Sequence, residues 1–76
     1  MEIIISGRFG NLSRGRTTAK HSDGHWGEKE NGNVILDAPG RWHLCTTDGF
    51  SRKKSCDIRV DDAGQITGMD SNFSRE

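Results

Sequence analysis

Residues 33–46, Asn33-Val34-Ile35-Leu36-Asp37-Ala38-Pro39-Gly40-Arg41-Trp42-His43-Leu44-Cys45-Thr46, decide how this 76-residue chain is read. Side chains alternate across a strand, and a face that must be buried sets the register. Val34 and Leu36 share one face and Ile35 takes the other; Trp42, Leu44 and Thr46 share a face opposite Arg41, His43 and Cys45. A two-residue Pro39-Gly40 loop would mix these faces and would impose a type II turn, which splays hairpin strands. An odd loop, Asp37 to Arg41, restores the pattern by pairing Leu36 with Trp42 and Val34 with Leu44. The expectation is therefore a β-hairpin that feeds a third strand.

That third strand is Ser55 to Val60, with Cys56, Ile58 and Val60 on one face and Asp57 and Arg59 on the other. Pairing Trp42 with Ile58 and Leu44 with Cys56 continues the apolar side. Asp61-Asp62-Ala63-Gly64-Gln65 reads as a type I turn with Gly64 left-handed, which pairs Val60 with Ile66. One buried face results: Val34, Leu36, Trp42, Leu44, Cys56, Ile58, Val60 and Ile66. In this register Cys45 and Cys56 lie on opposite faces, which argues for free thiols over a disulfide.

Outward from this core, Glu2 to Ser6 is a β-branched strand, expected at an edge or pairing across the sheet to begin a barrel. Residues 7–32 form a Gly-rich basic arm, with Phe9, Leu12 and Trp26 as its only large apolar side chains. The arm either hides irregular strands, at Arg8 to Leu12 and Arg16 to His21, or is mobile. Thr47 to Lys54 is a loop turning at Asp48-Gly49. Beyond Met69 the polar tail, residues 70–76, is expected to fray, with Phe73 as its one anchor. No apolar spacing of three to four residues runs long enough for a helix. The whole, residues 1–76, is expected to be one small, mostly β domain. Its residues 33–69 make an antiparallel meander of four to five strands, or a partly open barrel.

Composition narrows function by exclusion. Eleven basic and eleven acidic residues give a formal net charge of zero, so no global attraction to nucleic acid or membrane is built in. No stretch is long and apolar enough to span a membrane, and no basic region precedes the N-terminal isoleucines as in a signal peptide. The expectation is a cytoplasmic chain with reduced thiols. A core this thin makes a homodimer that buries Ile4, Ile35 or Trp26 a reasonable association.

The charges are unevenly laid out. Arg8, Arg14, Arg16 and Lys20 occupy the arm without an acid among them, and Arg52, Lys53 and Lys54 form a second cluster. Arginines pair with phosphates and Phe9 offers a stacking face, the means by which single strands are often held. The bland reading is a set of solvated cations that keep the chain soluble. Trp26, flanked by Gly24 and Gly27, either plugs the open side of the sheet or stands as an interface anchor. Arg41 and His43, with Arg59 and Ile35, define an exposed sheet face.

His21 and His25 have the i, i+4 spacing of zinc ligands, but Ser22-Asp23-Gly24 between them breaks a helix, and no Cys-x-x-Cys pair completes a site. His43 and Cys45 share a face without any feature that activates a thiol. No cofactor motif is present.

The expected function is non-enzymatic binding. A protein-binding accessory or inhibitor of the phage or mobile-element type leads, acting through Arg8, Phe9, Arg14, Arg16, Lys20, Trp26, Arg41, His43, Arg52, Lys53 and Lys54. RNA or single-stranded DNA binding through the basic arm is the alternative, and a zinc-stabilised domain is a third.

Overall fold

The computed structural model describes residues 1–9 and 13–76. Its strands are β1 (Ile3–Phe9), β2 (Ser13–His21), β3 (Glu28–Glu30), β4 (Asn33–Leu36), β5 (Gly40–Thr47), β6 (Lys53–Val60), β7 (Ile66–Thr67) and β8 (Phe73–Arg75). They make one antiparallel sheet in the order β3-β4-β1-β2-β5-β6-β7, with β8 paired to β1, and the sheet does not close into a barrel. Among the described residues there is no helix. The all-β, antiparallel expectation holds, with eight strands in place of four or five.

The second half of the chain pairs as its alternation requires. Trp42 sits opposite Ile58 and Leu44 opposite Cys56, and Val60 sits opposite Ile66. Between β6 and β7 the Gly64 N–H donates to the Asp61 carbonyl at 3.0 Å, and the Asp61 N–H to the Gln65 carbonyl at 3.0 Å. Gly64 has φ +82°, a conformation that costs a side-chain-bearing residue energy. The Asp61 carboxylate accepts the Ala63 and Gln65 N–H groups, both at 2.9 Å, and fastens the turn from inside. Both cysteines are free thiols.

The expected β4–β5 hairpin does not form. Leu36 pairs with Ile3 and Val34 with Ile5, while Leu44 pairs with Ala19 and Trp42 with His21. Val34, Leu36, Trp42 and Leu44 are nonetheless all buried, because alternation decides which face is apolar whatever strand lies alongside. The isoleucines of β1 give β4 β-branched cross-strand partners, which pack well on a pleated surface. The connection from β4 to β5 is pinned from both sides. The Trp42 Nε1–H donates to the Ala38 carbonyl at 2.9 Å, and His21 Nε2 donates to the Pro39 carbonyl at 2.8 Å.

Two further expectations, on β1 and on the tail, are corrected, and the Gly-rich segment adopts the first of its two expected states, with the strand expected at Arg16 to His21 present within β2. β1 is not an edge strand: it pairs with β4, β2 and β8. The Gly-rich segment supplies the end of β1, all of β2 and β3; the end of the strand expected at Arg8 to Leu12 falls on residues 10–12, outside the described residues. Two of its glycines are spacers. Gly7 and Gly15 are cross-strand partners, both buried against Thr46, and a Cβ on Gly7 would lie 2.5 Å from the Thr46 Cβ. The glycine-rich composition at these positions therefore reflects close strand packing. Finally, the tail is held: Phe73 is 3% exposed and β8 pairs with Ile5–Gly7 of β1.

The core is a single cluster. Ile3, Ile5, Val34, Leu36 and Phe73 come from β1, β4 and β8, and Ala19, Trp42, Leu44, Ile58 and Val60 come from β2, β5 and β6. The two parts of the sheet thus turn their apolar faces toward each other and leave the opposite faces to solvent.

Candidate functional site

The outer face of β2, β5 and β6 is built by the same alternation that builds the core. Thr17 and Ala19, Trp42, Leu44 and Thr46, and Ile58 and Val60 point inward and are buried. Their neighbours must point outward. The register sets these neighbours in rows. Arg16, Thr47 and Lys53 form one, Thr18, Cys45 and Ser55 the next, then Lys20, His43 and Asp57, and finally Arg41 with Arg59. Five formal cations (Arg16, Lys20, Arg41, Lys53 and Arg59) share this face with one carboxylate, Asp57. That carboxylate is taken up by His43, whose Nδ1 lies 2.7 Å from Asp57 Oδ1. The middle row carries only small hydroxyl and thiol side chains, so the face is shallow. A cleft of about 580 Å³ opens along it, bordered by Lys20, Arg41, His43, Asp57, Arg59 and Thr67.

Arg14 of β2 and its cross-strand partner Arg8 of β1 extend the basic surface to the β1–β2 pair. Arg14 is partly neutralised by Glu76 at 2.8 Å. Lys20 also reaches over the Trp26 ring, 5.4 Å from its centroid. Trp26 is 59% exposed, so of its two expected placements the outward one is adopted and it plugs nothing.

Phe9 does not serve as a base-stacking platform: it is buried, at 7% exposure. The Arg52 guanidinium covers its ring at 4.7 Å while its Nε donates to Asp48 at 2.7 Å. Arg52 is thereby committed within the protein. Lys53 joins the outer face, whereas Lys54 pairs with Thr46, and so leaves from the other side of the sheet end. The exposed aromatic at this end is Phe50, 95% exposed at the tip of the β5–β6 loop.

A second cluster lies beside the cleft, in the turn that follows β2. The His21 N–H donates to the His25 carbonyl at 2.8 Å, and the Gly24 N–H to the His21 carbonyl at 2.9 Å. This tight turn stacks the two imidazoles with centroids 5.0 Å apart. Both rings meet Trp42 edge-on, at 4.8 and 5.2 Å. His25 lies between two carboxylates, with Nδ1 against Asp23 Oδ1 and Nε2 2.8 Å from Asp37 Oδ1. Hydrogen bonds that its ring donates to Asp37 and then Asp23 raise its pKa above the ordinary histidine value. Asp23 is held below the usual carboxylate range, first by the His25 N–H and then by its ring. Asp37 is lowered by the His25 ring. The spacing of His21 and His25 was legible in the sequence; Asp37 was not, because a loop twelve residues away supplies it.

The thiols do not form a reactive pair. Cys45 and Cys56 occupy different rows and opposite faces. Burial pushes the Cys56 thiol up, away from the thiolate that nucleophilic chemistry needs.

Comparison with protein-family models, with curated proteins and with solved structures finds no match. Among the described residues no helix is long and apolar enough to cross a membrane.

Proposed function

We propose that this chain is a non-enzymatic binding protein, an accessory or inhibitor that docks an acidic protein surface on the outer face of β2, β5 and β6. The observation that carries the reading is charge segregation. A chain with zero formal charge gathers Arg16, Lys20, Arg41, Lys53 and Arg59 on one shallow face, where Asp57 alone opposes them. Fields of one sign speed the approach of oppositely charged partners and fix their orientation. Trp26, exposed at the margin under Lys20, supplies the aromatic contact that often anchors such interfaces.

A second reading, contact with single-stranded nucleic acid, draws on Phe50, exposed on the loop that leads into Lys53 and Lys54. Aromatics next to cations stack bases in a sequence-tolerant way.

One experiment separates them. The full chain is immobilised and challenged with cell extract, with and without nuclease, beside an Arg41→Glu/Arg59→Glu variant whose folded spectrum is checked first. The protein-docking reading expects a partner retained by the wild type, lost by the variant and indifferent to nuclease. Retention that disappears with nuclease, and that falls steeply with salt, replaces it with the nucleic-acid reading. Equal retention by variant and wild type removes the cationic face from either function.

A further inference from the structure

We propose that His21, Asp23 and His25 form a binding site for one divalent transition-metal ion of the zinc class, both histidines ligating through Nδ1 and a solvent molecule completing the shell. One ligand atom from each residue lies within 4.8 Å of the others. His21 Nδ1 and Asp23 Oδ1 are 3.2 Å apart, close to the edge of a tetrahedron built on bonds of about 2.0 Å.

The strongest support comes from the opposite side of each ring. His21 Nε2 donates to the Pro39 carbonyl at 2.8 Å, and His25 Nε2 faces the Asp37 carboxylate at 2.8 Å. Ligating histidines in metal sites characteristically give their other N–H to a carbonyl or carboxylate, which fixes the tautomer and aims the free lone pair at the ion. Here both outer partners are in place, and both Nδ1 atoms converge on Asp23. The rings are further immobilised by stacking on each other and against the edge of Trp42, so the site is preorganised.

Ligand type and access fit the same class of ion. Two imidazoles and one carboxylate suit zinc and its neighbours. The His21 side chain is 12% exposed and Asp23 59%, so the cluster is backed by protein on one side and open to solvent on the other. An ion takes the place of the hydrogen that joins His25 Nδ1 to Asp23. The Asp23 N–H, which donates to His21 Nδ1 at 3.1 Å, passes to water in this exposed turn.

The test is a titration of the ¹⁵N-labelled full chain, stripped with chelator, with zinc chloride, reading the histidine ring nitrogens. The site expects one equivalent to move Nδ1 of His21 and His25 together while His43 stays put. Asp23→Asn retains a carbonyl oxygen for the His25 N–H, so the turn persists, and it should weaken zinc binding at least about tenfold. Asp37→Asn should weaken it by about 10–100-fold through the outer partner. The proposal is overturned if zinc leaves His21 Nδ1 unmoved, if it perturbs His43 or the cysteines in its place, or if Asp23→Asn binds as tightly as the wild type.

Discussion

Asp48 organises the β5–β6 loop almost alone. Its carboxylate accepts the Phe50 N–H at 2.9 Å, the Arg52 N–H at 3.2 Å and the Arg52 Nε–H at 2.7 Å. The Arg52 side chain, followed by the Phe50 N–H, lowers its pKa from the ordinary 3.8. A carboxylate with a depressed folded pKa contributes stability above its unfolded value and loses it as pH falls through the folded one. The loop should therefore hold from neutrality down to about pH 4, near the ordinary carboxylate pKa, and loosen below it. Amide-exchange protection at Phe50 and Arg52 followed against pH checks this, and Asp48→Asn should abolish the acid-dependent step. The sequence marked Asp48-Gly49 as a turn and grouped Arg52 with the free cations. Only the fold shows that Arg52 is held by Asp48 and Phe9.

Among the elements, β8 is the one most easily underrated. Three residues of a polar tail carry little propensity of their own, yet β8 lies along the middle of β1. Phe73 enters the common core, and Arg75 donates to the Gly64 carbonyl at 3.0 Å. Truncating a buried phenylalanine costs about 3–5 kcal/mol through lost burial and the cavity left behind. Phe73→Ala should accordingly lower the melting temperature by more than about 10 °C in a domain of this size, as read by thermal denaturation. A melt close to wild type would mean that the tail is only loosely attached. The same lesson applies where β1 meets β2, whose glycines looked like flexibility: Gly7 of β1 and Gly15 of β2 face each other under Thr46, and their lack of side chains is what lets the strands approach.

At the scale of the whole molecule the strand order is far from the order of synthesis. β1 must find β4 and β8, so much of the sheet closes only after long loops have been ordered. Topologies dominated by such pairings fold in milliseconds to seconds, slower than helical chains of similar length. Stopped-flow tryptophan fluorescence after dilution from denaturant should show refolding in that range, with Trp42 passing from solvent to 1% exposure. Complete refolding within microseconds would contradict the strand order. The charge layout also belongs to this scale. Net charge is zero by count, but the adjacency of β2, β5 and β6 collects Arg16, Lys20, Arg41, Lys53 and Arg59 from three separated stretches.

Alternation of apolar and polar residues determined by itself that the chain is β, which face of β4, β5 and β6 turns inward, and how the local β5–β6–β7 run pairs. Those properties depend on neighbours two residues apart or on short connections, and so they are written in the chain. The partner of β4, the central place of β1, the capture of the tail and the meeting of His21, Asp23 and His25 with Asp37 were decided by tertiary structure. Any strand with the right apolar face satisfies a pattern of period two, and the choice among candidates rests on packing and hydrogen bonds between residues far apart in sequence.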